Sequence, residues 1–519
     1  MVKYLDNNSG FNSWNSMQQN QKKSKTGIGF WGWIVLVFMA WWIIGTFFQS
    51  KKAQNIEQQQ VNIETSVLES STLDSEKISI DVRGLRIANI ALKEHKQTTK
   101  SDDSVALLNA ENNFIEIGFL SSDTTVPNIN TKWQKDSGGM VWKNDSKIVF
   151  NRNISIQDYV IKISDNIKNN SKKEINVSPY ARIISDAGTA QSASVETGGV
   201  VYANSNLDYE NWAKLNKKSY AFSTVRGSFG FAEQYWETIL AIDANDQTIS
   251  LKKNGDSYFA DTIVAPVKIA PGTDTTIDTY IFAGPRIAKV LDSASDNIPG
   301  LSETMDYGWF WFFAQPMLWM INWLFGLVGN YGIAIILMTL ILRILMWPLT
   351  RKSYASTMAM QKMQPELQRV QKLYANDKPR MQIEMMKIYQ SHKTSPMSGC
   401  LPMLLQIPIF FALYKALLIS VPMRSAHFLW ISDLSAMDPY FILPILMGAT
   451  MWLQQFLQSP KTSGENKNDV MASTQRAMKW MPVIFTVMFA WMPAGLVLYW
   501  TVSNLFGILQ MYIIKKTMK

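Results

Sequence analysis

The sequence predicts a multi-domain fold: a six-span α-helical membrane protein with a large all-β domain between its first and second spans. Three observations predict it. Charge-free apolar runs occupy 27–48, 307–342 and 480–514, the stretch between the first two alternates apolar with polar residues, and the cations gather beside the apolar runs. The 519 residues carry a formal net charge of +9, yet 51–306 holds 27 Lys and Arg against 33 Asp and Glu, while 1–50 nets +3 and 307–519 nets +12. Cations confined to the flanks of apolar segments are topology determinants, and they argue against nucleic acid as a partner of the soluble part. The single cysteine, Cys400, can form no internal disulfide, so the soluble domain must stand on its own core. With His95, His392 and His427 in three separate segments, neither a metal site nor any cofactor is expected, and a cysteine nucleophile has no support.

Taken in order, residues 1–26 form an N-terminal extension, and 27–48 give 22 positions without a charge, enough for the ~20 that span a bilayer. A cleaved signal peptide is the competing reading, but the apolar stretch is too long and no Ala-x-Ala site follows it. Within 51–306, short alternating runs such as Ile78–Val82, Phe114–Ile117, Ile154–Ile156, Tyr159–Ile163, Ile263–Val267 and Ile277–Phe282, separated by Asn, Asp, Gly and Ser, carry the signature of a β-sandwich. The domain shows no paired carboxylates at a convincing spacing, so catalysis there is unsupported.

The 36 uncharged residues 307–342 exceed one span. Trp309, Trp311, Trp319 and Trp323, with Gln315, Pro316 and Asn322, suit an interfacial amphipathic helix over 307–330, because indole prefers the headgroup boundary. The second span is then 331–349, closed by Pro348, and the third and fourth are about 400–420 and 439–457. The run 480–514 is broken at Pro493-Ala-Gly495, giving spans at about 476–492 and 495–514. Only 13 residues separate Lys479 from Pro493, about 20 Å of helix at 1.5 Å per residue. Either the bilayer thins there, or the helix starts earlier and Arg476 and Lys479 snorkel.

Nine Lys and Arg in 350–399, four in 459–479 and three in the tail, against Arg424 alone in 421–438, place the termini and basic loops in the cytoplasm and 51–306 outside. In 350–399, two helical periodicities joined at Asn376-Asp-Lys-Pro379 predict a cytoplasmic helical hairpin, net +6. That charge suits either the membrane surface or an acidic or ribosomal partner.

Arg343 lies within the second span, twelve residues from Tyr331, about 18 Å from its outer end. An arginine at mid-membrane costs at least ~2.5 to 3.5 kcal/mol, so something must solvate it. Thr339 is one turn away, and other spans offer Gln406, Ser503, Asn504 and Gln510, polar groups that must face one another or water. No Asp or Glu occurs in the spans. The absence of a carboxylate favours a water-filled recess that keeps the cation available, over a dry structural pair or a side chain snorkelling to the inner face. Lys415, near the outer end of the third span, is expected simply to snorkel.

Several stretches carry a resemblance: Tyr307-Gly-Trp, Gln315-Pro316, Gly329-Asn-Tyr-Gly332, Arg343, Pro348-Leu-Thr350, Gly399-Cys-Leu-Pro402, Gln406-Ile-Pro-Ile-Phe410, Asp438-Pro-Tyr-Phe-Ile-Leu-Pro-Ile-Leu-Met447, Met481-Pro-Val-Ile-Phe485 and Gly495-Leu-Val-Leu-Tyr-Trp-Thr-Val-Ser-Asn504. Over about 300–514 the chain closely resembles the YidC membrane-protein insertases, and Phe282-x-Gly284-Pro285 looks like its family counterpart in the outer domain.

The resemblance implies a five-helix insertase core with a hydrophilic groove, closed to the outside and open to cytoplasm and lipid, plus a periplasmic β-supersandwich of the Gram-negative form. It places Arg343 and Thr339 in the groove with Gln406 lining the route, and Ser503 and Asn504 join them from the polar reading above. It places the sliding surface for a substrate helix at Phe410, Met447, Tyr499 and Trp500. The implied setting is the bacterial inner membrane. The implied partners are nascent membrane-protein substrates, membrane lipids, the Sec translocon and the ribosome. Trp500 stands where a second Tyr is usual, Lys415 where an uncharged residue is usual, and Ser395 where Asn usually precedes Pro396. The 26-residue extension and short basic tail are atypical, and the tail weakens any claim that it docks ribosomes.

The expected function is insertion and folding of membrane proteins, without enzymatic chemistry and with no nucleotide motif. Two rivals remain at this stage: a secondary transporter for an anionic solute, which Arg343 would suit although internal repeats are lacking, and an envelope-sugar enzyme acting through the β domain.

Overall fold

The computed structural model describes residues 71–97, 102–109, 113–136, 139–186, 197–392, 401–458 and 470–517. The first span and the N-terminal extension lie outside the described residues, as do Ser395 and Pro396.

Among the described residues, 71–285 form two antiparallel sheets. One runs in the order β1 (Ser71–Asp74), β2 (Ile78–Arg83), β3 (Arg86–Lys96), β5 (Phe114–Leu120), β10 (Ile175–Ser185), β17 (Ser257–Val264), β16 (Gln247–Asn254) and β13 (Tyr220–Thr224). In the same sheet β4 (Ser104–Asn109) pairs with β3 and β18 (Val267–Ile269) with β10. The other runs β12 (Asn206–Asn211), β11 (Gly198–Ala203), β14 (Ser228–Ala232), β15 (Trp236–Ile242), β19 (Asp274–Pro285), β9 (Val160–Asn169), β8 (Ile148–Gln157), β7 (Gly139–Lys143) and β6 (Gln134–Asp136).

Alternation sets the facing. In β9, Ile161, Ile163, Asp165 and Ile167 are buried while Lys162, Ser164 and Asn166 are partly exposed, so one face packs on the core, with Asp165 paired to buried Arg152, and the other is wet. The run 263–267, expected as one strand, is two: β17 ends at Val264 and β18 starts at Val267, because Pro266 has no N–H to give a ladder. Both pieces still pair with β10.

A short helix, α1 (Trp212–Leu215), follows β12, and a linker carrying α2 (Ala288–Ala294) leads from β19 to the helical part. The linker is bolted to the second sheet. The Thr304 hydroxyl donates to Glu237 Oε1 at 2.8 Å, the Ser228 hydroxyl to the Pro299 carbonyl at 2.6 Å, and the Arg286 guanidinium to the Thr304 and Glu233 carbonyls. Arg286 and Glu237 form a fully buried pair, and burial pushes the Glu237 carboxyl up to about 7.

The helical part comprises α3 (Trp311–Val328), α4 (Tyr331–Leu345), α5 (Trp347–Leu373), α6 (Lys378–Ser391), α7 (Leu401–Ile419), α8 (Ile442–Gln458), α9 (Val470–Phe489) and α10 (Ala494–Thr517). Asn330 caps α4 and Asp377 caps α6, each side chain accepting from a backbone N–H of the first turn. By length and composition, Trp311–Val328 and Ala494–Thr517 could each cross a membrane, and Tyr331–Leu345 with Trp347–Met360 form a pair bent by 62°.

Two boundaries differ from expectation. Pro348 does not close the second span: α4 ends at Leu345 and Pro348 sits in the first turn of α5, where a missing N–H costs nothing. And α9 begins at Val470, well before Lys479, so its 20 residues reach about 30 Å although the uncharged portion is short.

One face of α3, with Ala314, Met317, Ile321 and Leu324, packs into a core shared with α4, α7, α8 and α10; Trp311, Trp319 and Trp323 stay exposed. Around this core, exposed Ile341, Ile344, Leu446, Trp452, Phe456, Val487, Leu505 and Leu509 make an apolar belt suited to lipid, not water.

The β-domain core runs on into Leu318, Ala416, Leu418, Ile419 and Val421. The side chain of Gln234 donates to the Leu418 carbonyl at 2.9 Å, and Arg424 donates to the Lys96 carbonyl at 2.9 Å while lying over Tyr235 and Trp236. Lys415 does not simply snorkel: it forms an ion pair with Asp306 at the end of the linker, the two side chains being 15% and 19% exposed. A carboxylate supplied from outside the spans makes pairing better than reaching for water.

Candidate polar groove in the helical core

Tyr499, Ser503, Gly507 and Gln510 recur every three or four residues on α10, and helical geometry lines them along one face. Arg343, in the last turn of α4 where a cation complements the helix dipole, reaches this face. Its Nε donates to the Ser503 hydroxyl at 2.7 Å and its Nη2 donates to the same oxygen. Gln510 Nε2 donates at 3.2 Å to the Arg343 carbonyl, one of the four left unpaired at a helix end. Among the described residues, Arg343 has no ion-pair partner, and it is partly buried.

The other predicted polar residues lie among the same helices, and Thr339, Ser503 and Asn504 are buried there. Gln406 donates to the Tyr499 hydroxyl at 2.7 Å, joining α7 to α10. Asn504 donates weakly to the Met447 carbonyl and the Thr450 hydroxyl, at 3.4 and 3.3 Å, joining α10 to α8. Thr339 is fully buried and its hydroxyl donates to the Ile335 carbonyl at 2.6 Å, so its hydrogen-bonding is satisfied within α4.

Of the four expected sliding-surface residues, Phe410 and Trp500 are partly buried and meet at 5.6 Å between ring centroids, within a cluster that includes Phe485 and Phe489. Met447 and Tyr499 are 0% and 3% exposed, turned into the core, and present no surface to a passing helix in this conformation.

Sequence reasoning missed Tyr354 and Gln454. The Tyr354 hydroxyl donates to the Gly507 carbonyl at 3.3 Å, and Gln454 donates to Tyr354 at 3.5 Å, extending the polar line toward the hairpin. A signal was available: a glutamine in an otherwise apolar span must turn inward.

The end of the helical core beside the β domain is covered by a packed loop. The loop 421–438 buries Met423, Ile431 and Leu434, and its Leu434 and Ala436 carbonyls accept from the Gly495 and Ala494 N–H groups at the start of α10. Asp438, buried, caps α8 by accepting from the Leu443 N–H at 2.7 Å and takes the Trp430 indole N–H at 3.0 Å.

An apolar-belted helical core in which Arg343, without an ion-pair partner among the described residues, faces a polar line, joined to a large β domain, defines a membrane protein with a large domain outside the bilayer. Residues 60–320 match the family described as YidC periplasmic domain, and 323–519 match the 60Kd inner membrane protein family. A membrane protein insertase YidC from Magnetococcus marinus is 34% identical over 496 residues, covering 91% of this chain and 87% of that protein. The Rickettsia africae protein of the same name is 33% identical over 527 residues, covering 90% and 92%. A solved structure of an active YidC insertase aligns with 92% of this chain and 98% of its own at 19% identity, with a TM-score of 0.38.

The chain belongs to the YidC family of membrane-protein insertases, inner-membrane proteins with a periplasmic domain. That family is not a catalytic one, and the comparisons give the transporter reading no support.

Proposed function

We propose that this protein inserts and helps fold membrane proteins by admitting a short polar segment of the substrate into the groove at Arg343 while the adjoining apolar segment leaves for lipid between α7 and α10. The observation that carries the proposal is the guanidinium held along one edge by Ser503, with no carboxylate paired to it among the described residues. In a low-dielectric setting such a cation attracts acidic groups on an arriving chain. Water entering from the cytoplasmic side supplies the remaining solvation, and the packed 421–438 loop keeps the outer side closed. Release needs no nucleotide, because an apolar helix gains free energy on leaving water.

Six spans in the full chain, five of them in the insertase core, accord with the apolar belt. Cytoplasmic termini and hairpin, with the β domain in the periplasm, follow from the Lys and Arg beside the spans, and the exposed tryptophans of α3 suit the membrane interface. The 15 residues of α4 and 17 of α8 extend about 22 and 25 Å. Lengths below the ~30 Å hydrocarbon thickness favour local thinning, which shortens the dry path for the polar segment. Phe410 and Trp500 flank the exit, and the substrate helix slides past them. Met447 and Tyr499 would join that surface only on opening. Nascent membrane proteins and lipids are the partners, with the basic hairpin the element suited to the ribosome and Sec translocon.

Site-specific photocrosslinking from positions 410 and 500 to a stalled membrane-protein nascent chain tests the reading. Adducts at both positions support it. Adducts only at lipid-facing positions on α3 refute it.

A further inference from the structure

At the end of the core opposite the β domain lies an apolar groove of about 360 Å³ lined by Leu457 of α8 and by Leu505, Ile508, Leu509, Met511 and Tyr512 of α10, with Lys515 at its rim. Its volume is in the range of small-molecule sites. Leu505, Leu509 and Tyr512 are exposed in the apolar belt, whereas Met511 is buried and forms the floor. Lys515 Nζ donates to the Leu457 carbonyl at 3.0 Å, which satisfies an orphan carbonyl near the end of α8 and fixes the ammonium over the mouth of the groove. Lys516 follows it in the same turn.

We propose that this groove is a binding site for an anionic glycerophospholipid of the cytoplasmic leaflet, one acyl chain lying against Leu505, Leu509 and Met511 and the phosphate meeting Lys515. The occupant follows from the arrangement. An apolar trough open to the bilayer suits an alkyl chain, and fixed positive charge at the depth of the headgroups suits a phosphodiester. An ammonium at only one end of the trough sets the polarity of the lipid, head toward the end of α10. Lys515 keeps two N–H donors after serving Leu457. The site lies on the back of α10, away from the face that carries Ser503 and Gln510, so a bound lipid would brace the helix that holds Arg343 without entering the substrate path. The assignment of leaflet rests on the topology proposed above, and cysteine labelling of Lys516→Cys from either side of the membrane reads that separately.

The test uses the full chain reconstituted in phosphatidylcholine vesicles with a trace of spin-labelled phosphatidylglycerol or spin-labelled phosphatidylcholine, and measures the motionally restricted fraction by electron paramagnetic resonance. The wild type should hold the anionic label about fivefold more strongly for each engaged cation. Replacing both rim lysines, K515Q with K516Q, should equalise the two labels. Leu509→Trp, which fills the trough but keeps the charges, should release both labels, and an unchanged melting temperature for that variant shows the core is intact. Equal restriction of the two labels by the wild type, or selectivity that survives K515Q/K516Q, would overturn the proposal. So would displacement of the label by inorganic phosphate, or a photocrosslink from position 509 to residues 27–48.

Discussion

Replacing Lys415 by Met should loosen the β domain from the helical core. Lys415 pairs with Asp306, whose other carboxylate oxygen accepts from the Gly308 N–H at 2.7 Å. A fully exposed pair contributes ~0.2 to 1 kcal/mol, and breaking a dry one from one side costs ~3 to 5 kcal/mol. At 15% and 19% exposure the pair lies between these limits, so the loss should be about 2 kcal/mol. If domain separation opens the linker to protease, that loss raises the open population up to about 30-fold. The assay is limited proteolysis of the detergent-solubilised chain across residues 286–310, beside its melting temperature. The double variant Asp306→Asn with Lys415→Met removes both charges, retains an acceptor for Gly308, and should recover most of the loss. Equal cleavage of wild type and Lys415→Met, or a double variant no better than the single, would refute the reasoning.

In the groove, Arg343→Lys should be tolerated better than Arg343→Ala, with Arg343→Glu worst for substrates with acidic tails; insertion of such a reporter should fall about tenfold or more when the charge is lost, and equal activity of all three would remove the electrostatic account. Burial raises the Glu237 carboxyl from 4.5 to about 7, so the folded β domain holds a proton that the unfolded chain has released. Stability should therefore fall as pH rises from about 4.5 to 7, by roughly 3 kcal/mol, and level off above; denaturant melts across that range check it, and Glu237→Gln should flatten the slope. Gly332→Ala would put a methyl 2.7 Å from Phe428 Cβ and nearer still to its ring, pressing the 421–438 loop off α4 at a cost of about 1 to 3 kcal/mol, visible as a lowered melting temperature.

The β domain was legible wherever one sheet face meets solvent. The alternation in β2 and β9 announces such strands, but β14 and β15 are buried at every position and so show no period. Their second faces are covered by the linker that Glu237 and Ser228 hold, a contact between residues some 70 apart in sequence. Arg343 was conspicuous because a charge in an uncharged run needs an explanation in oil. Its partner was not, since Ser503 is 160 residues away and one of several polar candidates.

Residue type and spacing alone determined that this chain would have an apolar helical part, a β domain and a cation without a carboxylate in its own spans, because those features depend on transfer free energies and local periodicity. Tertiary structure decided which hydroxyl holds Arg343, that Lys415 finds Asp306, and that Met447 and Tyr499 face inward, because each depends on how distant elements approach, and no period along the chain encodes that approach.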